Sequence, residues 1–116
     1  MVVAMGAETA IAAFFAAMNE HDADTAASLV DPNVEIALGP HVMTGREAIR
    51  ELAVQEDAQL VFETVPVSFD ADGDHVNVTA RRVQRWRDSG EIATDDEVQA
   101  RFDLDSSGLI TRVQLS

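Results

Sequence analysis

Apolar residues recur with a helical period in the first half of the chain and with a strand period in the second. Between Glu8 and Glu20, Ile11, Phe14, Phe15 and Met18 stand at i, i+3, i+4 and i+7, one stripe on an alanine-rich segment. Glu8 lies where the positive end of that helix favours an acid. Asp22 or Asp24 can cap a second helix with Ala26, Leu29 and Val30 turned inward, and Pro32 ends it because the residue before proline avoids the α region. A strand from Asn33 to Leu38 alternates Val34, Ile36 and Leu38 on one face until Gly39-Pro40. Thr44, followed three residues later by Glu47, predicts a capping box for a third helix from Gly45 to about Asp57 that buries Ala48, Ile49, Leu52 and Ala53.

From Gln59 onward the period changes to two, which predicts strands over 59–69, 75–87, 91–105 and 109–115. Polar turns around Gly73, Gly90 and Gly108 separate them, so successive strands pair as antiparallel hairpins. Pro66 cannot donate to a ladder and marks a bulge or an edge within the first of these strands. Helices first and a meander afterwards give an α+β domain. Setting Arg82 opposite Val98 and Ala80 opposite Ala100 assigns one apolar face to Val76, Val78, Ala80, Arg82, Gln84 and Trp86 with Asp96, Val98, Ala100, Phe102 and Leu104. The other face carries Arg81, Val83, Arg85 and Arg87 against Asp95, Glu97, Gln99, Arg101 and Asp103. Opposite charges across such a ladder contribute about 0.2–1 kcal/mol per pair.

Composition narrows the classes of function. The 116 residues, 47% of them hydrophobic, suit a single domain over 1–116. With 21 acidic against 8 basic side chains the formal charge is −13, which repels nucleic acid and anionic membrane surfaces. The absence of cysteine removes disulfides, thiolate metal sites and a cysteine nucleophile. Three histidines without HxH or HExxH spacing give no metal site, and no motif for a cofactor is present, so none is expected. The start Met1-Val2-Val3-Ala4-Met5-Gly6 lacks a basic region and the run Ala10 to Met18 is about half a membrane span, so a soluble cytoplasmic protein is expected.

The segments Ala13-Phe14-Phe15-Ala16-Ala17-Met18-Asn19-Glu20-His21-Asp22, Asp31-Pro32-Asn33-Val34-Glu35-Ile36 and Thr44-Gly45-Arg46-Glu47-Ala48-Ile49-Arg50 resemble the opening of NTF2-like, SnoaL-like domains. That superfamily includes polyketide cyclases, ketosteroid isomerase and limonene epoxide hydrolase. The resemblance implies a cone-shaped, cystatin-like fold in which three N-terminal helices pack in a strongly curved antiparallel sheet around a pocket. It also implies a homodimer formed through the convex sheet face. In ketosteroid isomerase a tyrosine and a protonated aspartic acid polarise the substrate while a second aspartate moves the proton. Phe14, Leu38 and Ala100 occupy the corresponding positions here, so that chemistry is absent, and the chain contains no tyrosine at all. The aspartate-arginine-aspartate set of limonene epoxide hydrolase is likewise incomplete. Arg81-Arg82 is retained, Val83 and the Val113-Gln114-Leu115 strand stand near the carboxylate positions, and Arg101-Phe102-Asp103 repeats the spacing on the outward face.

The remaining candidates for acid-base or electrostatic work are Asp96, Arg82 and His41, the histidine by virtue of titrating near neutrality. Phe14, Met18, Leu38, Glu63, Gln84, Trp86, Ala100 and Phe102 are the candidates for lining a ligand pocket. Two functions fit. One is a small-molecule-binding domain with a mainly apolar pocket, taking an apolar or aromatic molecule and acting as a cofactor-independent isomerase, cyclase or hydrolase. The other is a non-catalytic dimeric binding or accessory module whose cavity is filled by Phe14, Phe15, Met18, Phe62, Phe102 and Trp86. Arg82 and Asp96 either satisfy each other as an ion pair or await a ligand.

Overall fold

The computed structural model describes residues 6–55 and 57–115. Met1 to Met5, on which the expectation about a leader rests, lie outside the described residues, as do Glu56 and Ser116. Among the described residues the chain order is α1 (Gly6–Asn19), α2 (Ala23–Ser28), β1 (Val30–Leu38), β2 (His41–Thr44), α3 (Arg46–Val54), β3 (Leu60–Asp72), β4 (His75–Trp86), β5 (Ile92–Leu104) and β6 (Ile110–Leu115). The strands form one sheet ordered β2-β1-β6-β5-β4-β3. The α+β class and the curled sheet are those expected.

The stripe on α1 buries Ile11, Phe14 and Phe15 against Val76, Val78, Ala80, Ala100 and Phe102 of the sheet. Phe14 and Phe15 each meet Phe102 edge to face, at centroid distances of 5.9 and 5.6 Å. This cluster is the core, and it fixes the inner face of the sheet. Asp22 caps α2, its carboxylate accepting from the Thr25 N–H at 3.2 Å. No described helix is long and apolar enough to cross a membrane.

Several expectations need correction. The sheet is not wholly antiparallel, because β1 runs parallel to β6. A long path through β2, α3 and β3 to β5 separates these two strands, so no hairpin dictates their direction. Val30 is not helical but opens β1, and α2 ends at Ser28. Pro32 consequently lies in β1, within the interval where pairing with β6 lapses and its missing N–H removes no ladder bond. His41 to Thr44, expected as loop, form β2 against β1. The expected capping box does not form. Thr44 is held in the ladder opposite Glu35, which moves the cap to Gly45 with no side-chain bond. Gly45 has φ +96°, a value that favours glycine, and its N–H extends the ladder to the Val34 carbonyl at 2.8 Å. The helix stops at Val54 rather than about Asp57.

In the main hairpin Arg82 faces Asp96, Ala80 faces Val98 and Val78 faces Ala100. The expected register was two residues off: the hairpin closes with Arg85 opposite Ile92, three residues from the expected pairing, and the bulge between Gln84 and Arg85 takes back one. A two-residue error leaves every side chain on its assigned face. The bulge expected at Pro66 occurs between Pro66 and Ser68, and it brings Phe69 onto the same face as Thr64 by changing the alternation.

Candidate functional site

Two adjoining cavities lie between the helices and the inner face. The inner one, about 200 Å³, is lined by Phe14, Phe15, Met18, Asn19, Thr64, Arg82, Val98, Phe102, Val113 and Leu115. Arg82 is the one charged group in this described lining. The second, about 350 Å³, opens at the ends of α1 and α3 and is lined by Met18, Asn19, His21, Leu52, Gln55, Asp57, Leu60, Val61, Phe62, Thr64 and Arg87.

Asn19 and Thr64 border both cavities and are joined to each other. The Asn19 Nδ2–H donates to the Thr64 carbonyl at 2.8 Å, and the Thr64 N–H donates to Asn19 Oδ1 at 2.9 Å. The side-chain amide thus pairs with β3 as a neighbouring strand would, on the free side of an edge strand. Helix α1 is thereby tied to the sheet at the boundary between the cavities.

Arg82 is held from behind. Its Nε–H and one Nη2–H donate to the two Asp96 carboxylate oxygens at 3.3 and 3.0 Å. With both side chains about two-fifths exposed, solvent screening limits the pair to about 0.2–1 kcal/mol of stability. Its larger consequence is geometric, because a two-point contact fixes the plane of the guanidinium. Beyond it, the wall of the second cavity is also fixed by hydrogen bonds. Asp57 accepts from the Gln59 and Leu60 N–H groups at 2.8 and 3.0 Å, and these bonds hold its carboxyl below the ordinary range. Arg87 donates to the Asp57 and Leu60 carbonyls at 2.8 and 3.4 Å.

Of the residues singled out by sequence, Phe14, Met18, Phe102 and Arg82 meet at the inner cavity. Asp96 contacts it only through Arg82. Ala100 is core, and Leu38 packs against the core while its register partner Leu115 takes the place in the lining. Gln84 is half-buried on the inner face beyond both linings. Glu63 is opposite Val83 and therefore belongs to the outer face, which removes it from the cavity wall. Trp86 is exposed beside Ala58, Gln59 and Asp88, outside both cavities. His41 begins β2 on the far edge of the sheet and enters neither lining. The histidine that borders one of these two cavities is His21. Sequence reading missed it, together with Asn19 and Thr64, because all three acquire their roles from contacts between distant segments. The available signal was local: Asn19-Glu20-His21-Asp22 places polar residues directly after the apolar stripe of α1.

On the outer face, Arg81 forms a two-point contact with Asp95, with Nε to Oδ1 at 2.8 Å. That contact holds the Asp95 carboxyl below its ordinary range and raises the arginine. No group of three or more potential ligands among the described residues is arranged to hold a metal.

Comparison with known proteins agrees with this architecture. The family described as SnoaL-like domain matches residues 11–113. A polyketide cyclase, so described provisionally, from Xanthomonas campestris pv. campestris superposes with a TM-score of 0.78 at 21% identity, covering 96% of this chain and 89% of that one. TerC, co-crystallised with polyporic acid, gives a TM-score of 0.80 at 20% identity over 96% of this chain and 90% of its own. A Mycobacterium tuberculosis protein in complex with estradiol-17beta-hemisuccinate gives 0.74 at 15% identity, over 95% and 92% of the two chains. No curated protein matches the sequence significantly.

Proposed function

We propose, from the premise that this chain belongs to the SnoaL-like domain family, that its inner cavity binds a small, mainly apolar or aromatic molecule bearing one oxygen acceptor. The observation that carries this reading is Arg82, a lone charge in an apolar lining with its orientation set by Asp96. A cavity of few convergent polar groups orients a ligand through them while apolar walls supply most of the affinity. Two structural relatives, held with polyporic acid and with a steroid hemisuccinate, support the ligand class. Cofactor-independent isomerase, cyclase or hydrolase chemistry is the catalytic extension of the same reading. Binding alone accounts for the described inner lining, which contains no carboxylate, histidine or tyrosine.

Thermal-shift screening against steroids, terpenoids, aromatic polyketides and small carboxylates tests the proposal, since a ligand of the folded state raises its stability. For a hit, Arg82→Ala is expected to weaken affinity about tenfold, the loss of a charge-assisted hydrogen bond. Asp96→Asn should weaken it less, by releasing the guanidinium plane. Unchanged affinity in both variants would remove the assignment.

A non-catalytic dimeric module is the second reading, and the outer face favours it. Val83 is only 6% exposed there, while Val61 and Val65 are exposed on β3 beside the rows of Arg81 and Arg85. Alternating cations and acids make such a face complementary to a second copy of itself. Sedimentation at tens of micromolar should give a dimer that Val65→Glu dissociates; a monomeric wild type would overturn this reading.

A further inference from the structure

The outer cavity contains a histidine that the inner-site reading does not use. Helix α1 ends in a Schellman turn, with the Asp22 N–H donating to the Ala17 carbonyl at 2.9 Å and the His21 N–H to the Met18 carbonyl at 3.2 Å. The residue at the left-handed position of that turn is usually glycine, but here it is His21, with φ +58°. Among the described residues it is the one non-glycine with positive φ. Such an outlier motivates a search for function. Across the helices, His21 Nδ1 lies 2.8 Å from the Ala53 carbonyl. A carbonyl only accepts, so in the neutral ring Nδ1 bears the hydrogen and Nε2 keeps its lone pair. The ring lines the 350 Å³ cavity.

We propose that this outer cavity is a second ligand site, with His21 Nε2 accepting a hydrogen bond from the hydroxyl of a small, neutral aromatic compound of the phenol class. Met18, Leu52, Leu60 and Phe62 provide an apolar surface for the ring. A carboxylate ligand is disfavoured on two counts. It cannot donate to Nε2, and Asp57 in the wall is held as the anion by its hydrogen bonds from the Gln59 and Leu60 N–H groups. The site does not depend on occupancy of the inner cavity.

The contact with Ala53 gives His21 a structural role as well, and the substitution His21→Asn separates the two. Asparagine tolerates positive φ, and its amide nitrogen superposes on Nδ1, so this variant keeps the turn and the bond while deleting Nε2. The probes are 4-methylphenol and 4-methylanisole, the same ring with and without a hydroxyl donor, titrated into isotope-labelled protein. Wild type is expected to bind the phenol roughly three- to tenfold more tightly than the ether, the range of one net hydrogen bond. Amide shifts should centre on Leu52, Leu60 and Phe62. His21→Asn should melt near wild type and lose the preference. Equal affinities in wild type, a preference retained in the variant, or shifts confined to Val98, Val113 and Leu115 of the inner cavity would overturn the assignment. If the variant does not fold, the wild-type Nε2 resonance decides: displacement by 4-methylphenol supports the site and constancy overturns it.

Discussion

Replacing Phe102 with alanine is expected to reduce the free energy of unfolding by about 3–5 kcal/mol, a large fraction of the roughly 5–15 kcal/mol by which a domain is ordinarily stable. Phe102 is 0% exposed on β5, between β4 and β6. Its ring is the shared partner of Phe14 and Phe15, at interplanar angles of 75° and 65°. Truncation therefore removes the buried surface and two edge-to-face contacts, each worth about 0.5–1.5 kcal/mol beyond area. Little can move in to fill the gap, because the neighbouring positions are on hydrogen-bonded strands and α1 is tied to β3 through Asn19. The urea midpoint should fall with the slope unchanged. Phe102→Leu, which keeps bulk and loses the ring contacts, should cost less than half as much. Because Phe102 also walls the inner cavity, the alanine variant should gain affinity for benzene-sized apolar molecules and recover part of its stability when saturated with one. A loss below about 1 kcal/mol would mean that the aromatic triad is not the centre of the core.

That triad was half legible in the sequence. The spacing of Ile11, Phe14 and Phe15 identifies a buried stripe, and period-two alternation places Phe102 with Val98 and Ala100 on one face. Arg82 stood out for a related reason, as a charge interrupting an apolar face. Where the reading failed, the deciding interactions were nonlocal or involved a single residue of backbone. β2 spans four residues between Gly39-Pro40 and Gly45, too few to show a period, and it exists because β1 offers an edge. The parity of Glu63 could not be read from β3 alone, since a bulge later in the strand reverses the alternation. Suitability for proton transfer, the ground for choosing His41, does not distinguish one histidine from another; the structure places His21 at a cavity through a helix-ending turn whose left-handed residue is ordinarily glycine. The Asn19–Thr64 pairing spans 45 residues and has no one-dimensional signature.

That pairing predicts the second large effect. Asn19→Ala leaves the Thr64 N–H and carbonyl, both part-buried, without their partner, and should cost about 1–3 kcal/mol. The boundary between the inner and outer cavities would open at the same point, so ligands too long for the 200 Å³ inner space should bind the variant better once its stability is allowed for. Asn19→Asp provides the sharper test. An ionised carboxylate still accepts from the Thr64 N–H but sets an oxygen against the Thr64 carbonyl, where the amide had a donor. The protonated acid restores that donor. Folding therefore raises the pKa of the introduced carboxyl above its unfolded value of about 3.9. Its contribution is fully present below that unfolded value and is lost as pH rises through the raised folded one. Measured relative to wild type at each pH, the deficit of Asn19→Asp should be greatest at neutrality and shrink on acidification. Taking the difference removes the common acid sensitivity of Asp22, Asp57, Asp95 and Asp105, whose depressed pKa values make every variant less stable as pH falls below the ordinary carboxylate range. A deficit independent of pH would show that Asn19 acts by packing and not by donating to β3.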